Sequence, residues 1–158
     1  MLVLVSFILF VFSSFATSTC PSGSYTIPSL LGNKYNCVTF VTTGVVFTSA
    51  QYECIKKGGS LFIISNSDVN KFVTDLINNV VGTNSNYVYW LGMTNILGGV
   101  WKNVDDGSNS TFFNWDNGYP LNGSFPLCAY MKSSGKWGSR QCFLNAYYSL
   151  YMCSVPEV

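Results

Sequence analysis

The sequence contains no histidine. That absence excludes Ser-His-Asp and Cys-His catalysis, histidine-bearing zinc sites and imidazole pH switches, which cover much ordinary hydrolytic chemistry. Charge is scarce too: 9% of residues are charged, against about 25% in an average globular chain. Eight Lys and Arg against seven Asp and Glu leave a formal net charge of +1. There is therefore no basic stripe for nucleic acid and no acidic tail. No Cys-x-x-Cys pair occurs, the nearest two cysteines being Cys142 and Cys153, which disfavours a thiolate metal site. What is present is a single-domain length of 158 residues, an aromatic content of 16% and six cysteines.

Met1 to Ala16 holds 13 apolar residues and no charge, then gives way to Thr17, Ser18 and Thr19. Such a run is too short for the roughly 20 residues of a spanning helix and matches a secretory signal, here residues 1–18 with cleavage within 16–19. No later stretch reaches membrane-spanning length, so the expected mature chain is secreted and has no membrane span. In an oxidising compartment Cys20, Cys37, Cys54, Cys128, Cys142 and Cys153 read as three disulfides among 15 possible pairings. Asn109-Ser110-Thr111 and Asn122-Gly123-Ser124 are glycosylation sequons and would lie on the surface if used.

One domain is expected over 20–158. Val69, Phe72, Val73, Leu76, Ile77 and Val80 form a single apolar stripe at helical period. Asn66 or Ser67 can cap that helix, Asp68 suits its N-terminal dipole end and Gly82 marks its end. A shorter helix is expected over Ser49 to Lys57, stopped by Gly58-Gly59. Strands are expected within Cys37 to Phe47, Leu61 to Ile64, Tyr87 to Met93, Leu127 to Met131 and Tyr147 to Cys153. Gly98 to Ser124 keeps no period and mixes Gly, Asn, Ser and Asp with aromatics; an irregular stretch of that length is usually functional. The sum is an α+β layout.

Ala50, Cys54, Gly59 and Leu61, then Trp90-Leu91-Gly92-Met93, then Gly99, Trp101, Asp106-Gly107-Ser108, Phe113, Trp115, Gly118 and Pro120, and finally Trp137, Cys142 and Cys153, stand in a common order. In these residues the chain resembles the C-type lectin-like domain family from about Cys20 to Cys153. The resemblance implies two helices with antiparallel sheets and a long irregular loop. It also implies the pairing Cys54–Cys153 and Cys128–Cys142, with the long-form bridge Cys20–Cys37.

Calcium-dependent members hold the sugar on Ca2+, which needs 6–8 oxygen ligands, through a Glu-Pro-Asn or Gln-Pro-Asp triplet, a further Glu and a Trp-Asn-Asp triplet. The positions that match here are Tyr119-Pro120-Leu121, Pro126 and Trp137-Gly138-Ser139. The ligand-bearing side chains are missing at each, so no cofactor is expected and calcium is not expected at the primary sugar position. Asp105 and Asp106 adjoin Gly107 in an expected turn, where Asp is favoured for local hydrogen bonds.

Tyr119, flanked by Leu121 and by Phe125, offers an aromatic face on which a sugar ring or an apolar side chain can stack without metal. Tyr119-Pro120 can equally serve only the loop bend that the family makes with a proline, often cis. Candidate ligand-binding residues are Tyr119, Leu121, Asn122, Gly138 and Ser139. Catalysis is not expected, since no carboxylates or lysines stand in a catalytic spacing. Two readings remain: a secreted, calcium-independent glycan-recognition domain, with defence against microbes implied by the resemblance, or a lectin-like domain binding an extracellular protein. A glycan on Asn122 would partly cover the proposed face.

Overall fold

The computed structural model describes residues 18–83, 86–123, 125–143 and 149–158. The expected leader lies outside these except for Ser18, and so do Tyr147 and Tyr148 of the last expected strand. In chain order the elements are β1 (Ser24–Thr26), a 3-10 turn (Ser29–Leu31), β2 (Cys37–Val41), α1 (Phe47–Lys56), β3 (Ser60–Leu61), α2 (Ser67–Val80), β4 (Val88–Thr94), β5 (Lys102–Asn103), β6 (Leu127–Lys132), β7 (Trp137–Gln141) and β8 (Ser149–Val155).

Helix α2 follows its sequence pattern closely. The Asn66 side chain accepts hydrogen bonds from the backbone N–H groups of Asp68 and Val69 at 3.0 and 2.9 Å, so Asn66 is the cap. Val69, Val73 and Ile77 are buried; burying side chains of this size contributes about 1.5–3 kcal/mol each. Helix α1 starts earlier than expected, at Phe47, because the chain leaves the sheet after Val41. The Val45 N–H donates to Ser149 and its carbonyl accepts from the Trp90 indole at 2.8 Å, which turns the backbone before Phe47 packs edge-on against Trp90.

The strands run β1-β2-β8-β4-β6-β7, with β3 beside β8 and β5 beside β4. The expected antiparallel arrangement holds except for β4 and β8, which pair in parallel. Parallel neighbours need a long crossover, and here everything from the long loop through the β6–β7 hairpin lies between them in sequence. Strand β4 is buried on both faces: Tyr89, Leu91 and Met93 pack into a cluster with α2, while Val88 and Trp90 join a second cluster with α1. Burial on both sides is why its sequence alternates only weakly. Three strands were not expected. β1 is a short polar edge strand, β5 is a two-residue pairing at the end of β4 within the stretch expected to be irregular, and β7, Trp-Gly-Ser-Arg-Gln, carries little of the composition that marks a strand.

The three disulfides are Cys20–Cys37, Cys54–Cys153 and Cys128–Cys142, the pairing that the resemblance implied. Cys54–Cys153 joins α1 to the last strand across a sequence separation of 99. In the chain-entropy model a loop of that size is worth about 4.7 kcal/mol against the unfolded chain.

Candidate functional site

The long loop leaves β4, adds β5 to that strand's end and returns to β6. Its first part is held by Val104, whose N–H donates to Gly92 at 2.9 Å. Its second part folds back along β7: Trp137 donates its backbone N–H to Asn114, and Asp116 donates its own to the Trp137 carbonyl, at 2.9 and 2.8 Å. Trp101 and Trp115 pack against the core beneath, while Trp90 and Trp137 are fully buried. The four tryptophans are thus packing residues. The Trp137 indole donates to Asn70 on α2 at 2.7 Å, and the Asn70 amide in turn donates to the Gly135 carbonyl. Nothing in the helical pattern singled out Asn70, because a lone amide on a helix carries no period.

The two acids expected in a turn behave differently. Asp106 accepts from the Ser108 N–H at 2.9 Å, as a turn Asp does, and its bonds with Ser108 hold its carboxyl below the usual range. Asp105 departs from that expectation. It pairs with Lys34 at 3.2 Å, far away in sequence, and so ties the loop to the N-terminal segment. Asp116 pairs with Lys132 on β6 at 2.7 Å and accepts from the Asn117 N–H. That lysine and that N–H hold the Asp116 carboxyl below its ordinary value.

The five candidate ligand residues fall into two layers. Leu121 and Asn122 are exposed and Tyr119 is half-buried, following Asp116 through a bond from the Tyr119 N–H to the Asp116 carbonyl. The peptide bond between Tyr119 and Pro120 is cis. Ser139 is buried, and its hydroxyl accepts from the Leu121 N–H at 2.8 Å, so it positions the loop from below. Gly138 is buried too, directly opposite Tyr130 in the β6–β7 pair. A Cβ at 138 would collide with the Tyr130 ring and hydroxyl. Gly138 is therefore the space in which Tyr130 sits.

Tyr130 was not foreseen, yet it is the centre of the arrangement. Its hydroxyl donates to that of Tyr119 at 3.1 Å, and the two rings meet edge to face. The Arg140 guanidinium lies over its ring at 4.5 Å, and Lys132 lies 5.2 Å from the Tyr119 ring. Burial first, and then the bond with Tyr119, push the Tyr130 phenol up to about 12. The usable signal was the Ser133-Ser134-Gly135 turn: a hairpin folded there brings Tyr130 across from Gly138. Phe125, expected beside Tyr119, lines a recess of about 340 Å³ with Ile96 and Pro126. The sequon residues Asn109 and Asn122 are both exposed.

Residues 43–154 match the family model of the lectin C-type domain. The chain belongs to this family. C-type lectin domains are binding modules, and this one is not an enzyme. It is 31% identical to a perlucin-like protein of Mytilus galloprovincialis over 121 residues, 76% of each chain. It is 34% identical over 106 residues to the galactose-specific lectin nattectin of Thalassophryne nattereri, covering 66% of this chain and 61% of nattectin. Among solved structures, a calcium-independent type II antifreeze protein shares the fold at a TM-score of 0.68 with 18% identity, covering 91% of this chain and 99% of that one.

Ca2+ at the lectin domain's primary position is a poor fit to the residues found there. A hard cation needs several oxygen ligands. The Ser139 hydroxyl is already engaged by the loop backbone, the place of a side chain at 138 is taken by Tyr130, and Arg140 brings positive charge over the Tyr130 ring. Among the described residues no three acidic or sulfur-bearing side chains converge. No helix of the described residues is long and apolar enough to cross a membrane.

Proposed function

We propose that this C-type lectin domain is a secreted module that recognises carbohydrate without calcium, through the loop face formed by Tyr119, Leu121 and Asn122. The observation that carries the reading is the Tyr130 ring, which fills the space above Gly138 and bonds to Tyr119, two positions that the resemblance matches to the family's cation-binding triplets. A phenol ring with an anchored hydroxyl suits a sugar: its face stacks on C–H groups while its edge exchanges hydrogen bonds. The name of nattectin, a galactose-specific lectin, supports a sugar ligand. The fold shared with a calcium-independent antifreeze protein is compatible with a metal-free loop.

Residues 1–18 are the leader in this reading, and a role in defence is the biological setting implied by the resemblance. A glycan array that includes microbial polysaccharides, run with and without EDTA, tests it. The expected outcome is sugar binding that EDTA leaves unchanged and that Tyr119→Ala weakens at least about tenfold, the loss of one stacking and one polar contact. Chelator-sensitive binding would refute the calcium-free mechanism. Absence of binding to every glycan would favour an extracellular protein partner, a reading to which exposed Leu121 lends an apolar contact. Enzymatic removal of any glycan on Asn122 before the assay shows whether it covers the face.

A further inference from the structure

We propose that two copies of this chain pair through an apolar end of the molecule, formed where the long loop leaves β4, where it returns to β6 and where the chain leaves β7. The residues that carry the contact are Ile96, Leu97, Val100, Phe125 and Phe143, all exposed. Tyr119, Leu121 and Asn122 are not among them, so pairing there does not depend on sugar binding at the Tyr119 face.

The sheet brings these side chains together. Leu127 pairs with Gln141 in the β6–β7 register and the Cys142 N–H donates to the Pro126 carbonyl at 3.3 Å, so Phe125 and Phe143 leave the hairpin as neighbours beside the Cys128–Cys142 disulfide. Asn95 fastens the start of the loop to the same place. Its N–H donates to the Leu127 carbonyl at 3.0 Å, and its side-chain oxygen accepts from the Leu127 N–H at 2.7 Å. The Gly99 N–H donates back to the Asn95 carbonyl at 3.1 Å, which folds the tip that ends in Val100. Ile96 lines the recess of about 340 Å³ with Phe125 and Pro126, and a second recess of about 220 Å³ with Leu97 and Val104. A surface fixed in this way loses little freedom when it is covered.

Area and charge point to a second copy as the occupant. Leu97, Phe143 and Phe125 are 68, 60 and 58% exposed, Val100 49% and Ile96 43%. At about 200 Å² for a large apolar residue, these five leave about 550 Å² in solvent. That is near the top of the range for the largest apolar patch on a monomer, and it matches the apolar part of one side of a standard homodimer interface, about 65% of about 800 Å². Segments 94–100, 123–127 and 142–143 contain no Asp, Glu, Lys or Arg. A two-fold pairing sets a patch against its own copy, and a neutral patch does so without like charges meeting. Among the described residues, the one charged side chain lining either recess is Lys102, whose ammonium donates to the Gly107 carbonyl at 3.1 Å. With a formal net charge of +1, two whole chains also repel little. Protruding Leu97 beside the recesses gives the patch both a knob and a hole, as a self-complementary surface requires. A lipid surface is a poorer match, since Trp, Tyr, Lys and Arg anchor proteins there and these segments hold none of them.

The test is sedimentation equilibrium of the disulfide-bonded protein in EDTA, freed of any N-linked glycan because Asn122 adjoins Gly123 of the larger recess, from about 1 to about 200 μM. The mass should rise from one chain to two across that range. Leu97→Glu and Phe125→Glu should each raise the dimer Kd at least about tenfold, since each buries an unpaired charge at the contact. Both positions are exposed, so the variants keep the fold, which an unchanged thermal midpoint verifies. Tyr52→Glu, on exposed α1 surface outside the patch, should leave the dimer as it is. A single-chain mass throughout, a dimer indifferent to both patch variants, or a dimer lost equally in Tyr52→Glu would each overturn the proposal. So would a monomer that sediments with phosphatidylcholine vesicles and ceases to do so in Leu97→Glu, which would assign the patch to lipid.

Discussion

Replacing Gly138 by Ala tests whether the tyrosine cluster has the packing described. The backbone at 138 is not in the left-handed region, so alanine meets no torsional objection there. In a strand interior the change should by itself favour folding by about 0.5–1 kcal/mol, because glycine loses more backbone freedom than alanine. Against that stands the collision of the new Cβ with the Tyr130 ring and hydroxyl. Forcing a methyl into a packed core costs about 1–3 kcal/mol, and Tyr130 has little room to yield, since Tyr119 meets it on one side and Arg140 on another. The net expectation is destabilisation by about 0–2.5 kcal/mol.

The sign should reverse when the ring is absent. In a Tyr130→Ala background the same substitution has nothing to strike and should be neutral or stabilising by up to about 1 kcal/mol. Urea unfolding of the four proteins, followed by tryptophan fluorescence with disulfides intact, closes the double-mutant cycle. The expected coupling is about 1–3 kcal/mol, in the range for residues in contact. Additivity within about 0.5 kcal/mol would show that Tyr130 does not occupy the space above Gly138. The account of why that position holds no metal ligand would fall with it.

Two further outcomes follow from the loop and the disulfides. The Asp116 carboxyl titrates below its ordinary value because Lys132 and the Asn117 N–H hold it, so its folded pKa lies under its unfolded one. Its contribution to stability is present above about pH 4 and is lost as pH falls through the folded value; Asp116→Asn should flatten that acid limb in urea midpoints measured against pH, and an unchanged limb would contradict the pairing. Replacing Cys54 and Cys153 together by Ser should destabilise the domain by about 2–5 kcal/mol, whereas the Cys20 and Cys37 pair, closing a separation of only 17, should cost less; calorimetry that reversed the order would contradict the loop-length argument.

How much of this was legible depends on how local each feature is. Helix α2 was, because its stripe from Val69 to Val80 and its cap at Asn66 lie within one segment. The disulfides became legible only through the family pattern, since six cysteines alone allow 15 pairings. Strand β7 was not legible: its Gly, Ser and Arg satisfy needs set by the opposite strand, Gly138 for the Tyr130 ring and Arg140 for a cation over it. The partner of Asp105 was hidden for the same reason. Turn chemistry predicts a bond to its own neighbours, and a lysine brought from the N-terminal segment outcompeted them. The candidate site divided along the same line, its exposed members readable from the loop and Ser139 intelligible only once the Leu121 N–H is seen above it.

The scarcity of charge can now be placed in space. Of the seven carboxylates, Glu53 pairs with Lys56, Asp75 with Lys71, and Asp68 sits in the first turn of α2. Glu157 accepts from Ser18, leaving Asp105, Asp106 and Asp116 in the long loop. Each of those three is engaged in holding the loop: one to Lys34, one to its own turn and one to Lys132. Exposed pairs of this kind add little to stability, with a median near 0–1 kcal/mol, but they fix where backbone and rings lie. A loop whose acids are all engaged in this way offers a ligand neutral groups: phenol, amide, hydroxyl and exposed leucine. Such a surface suits the proposed polyhydroxyl ligand, because hydroxyls need directed hydrogen bonds and an apolar face more than they need charge.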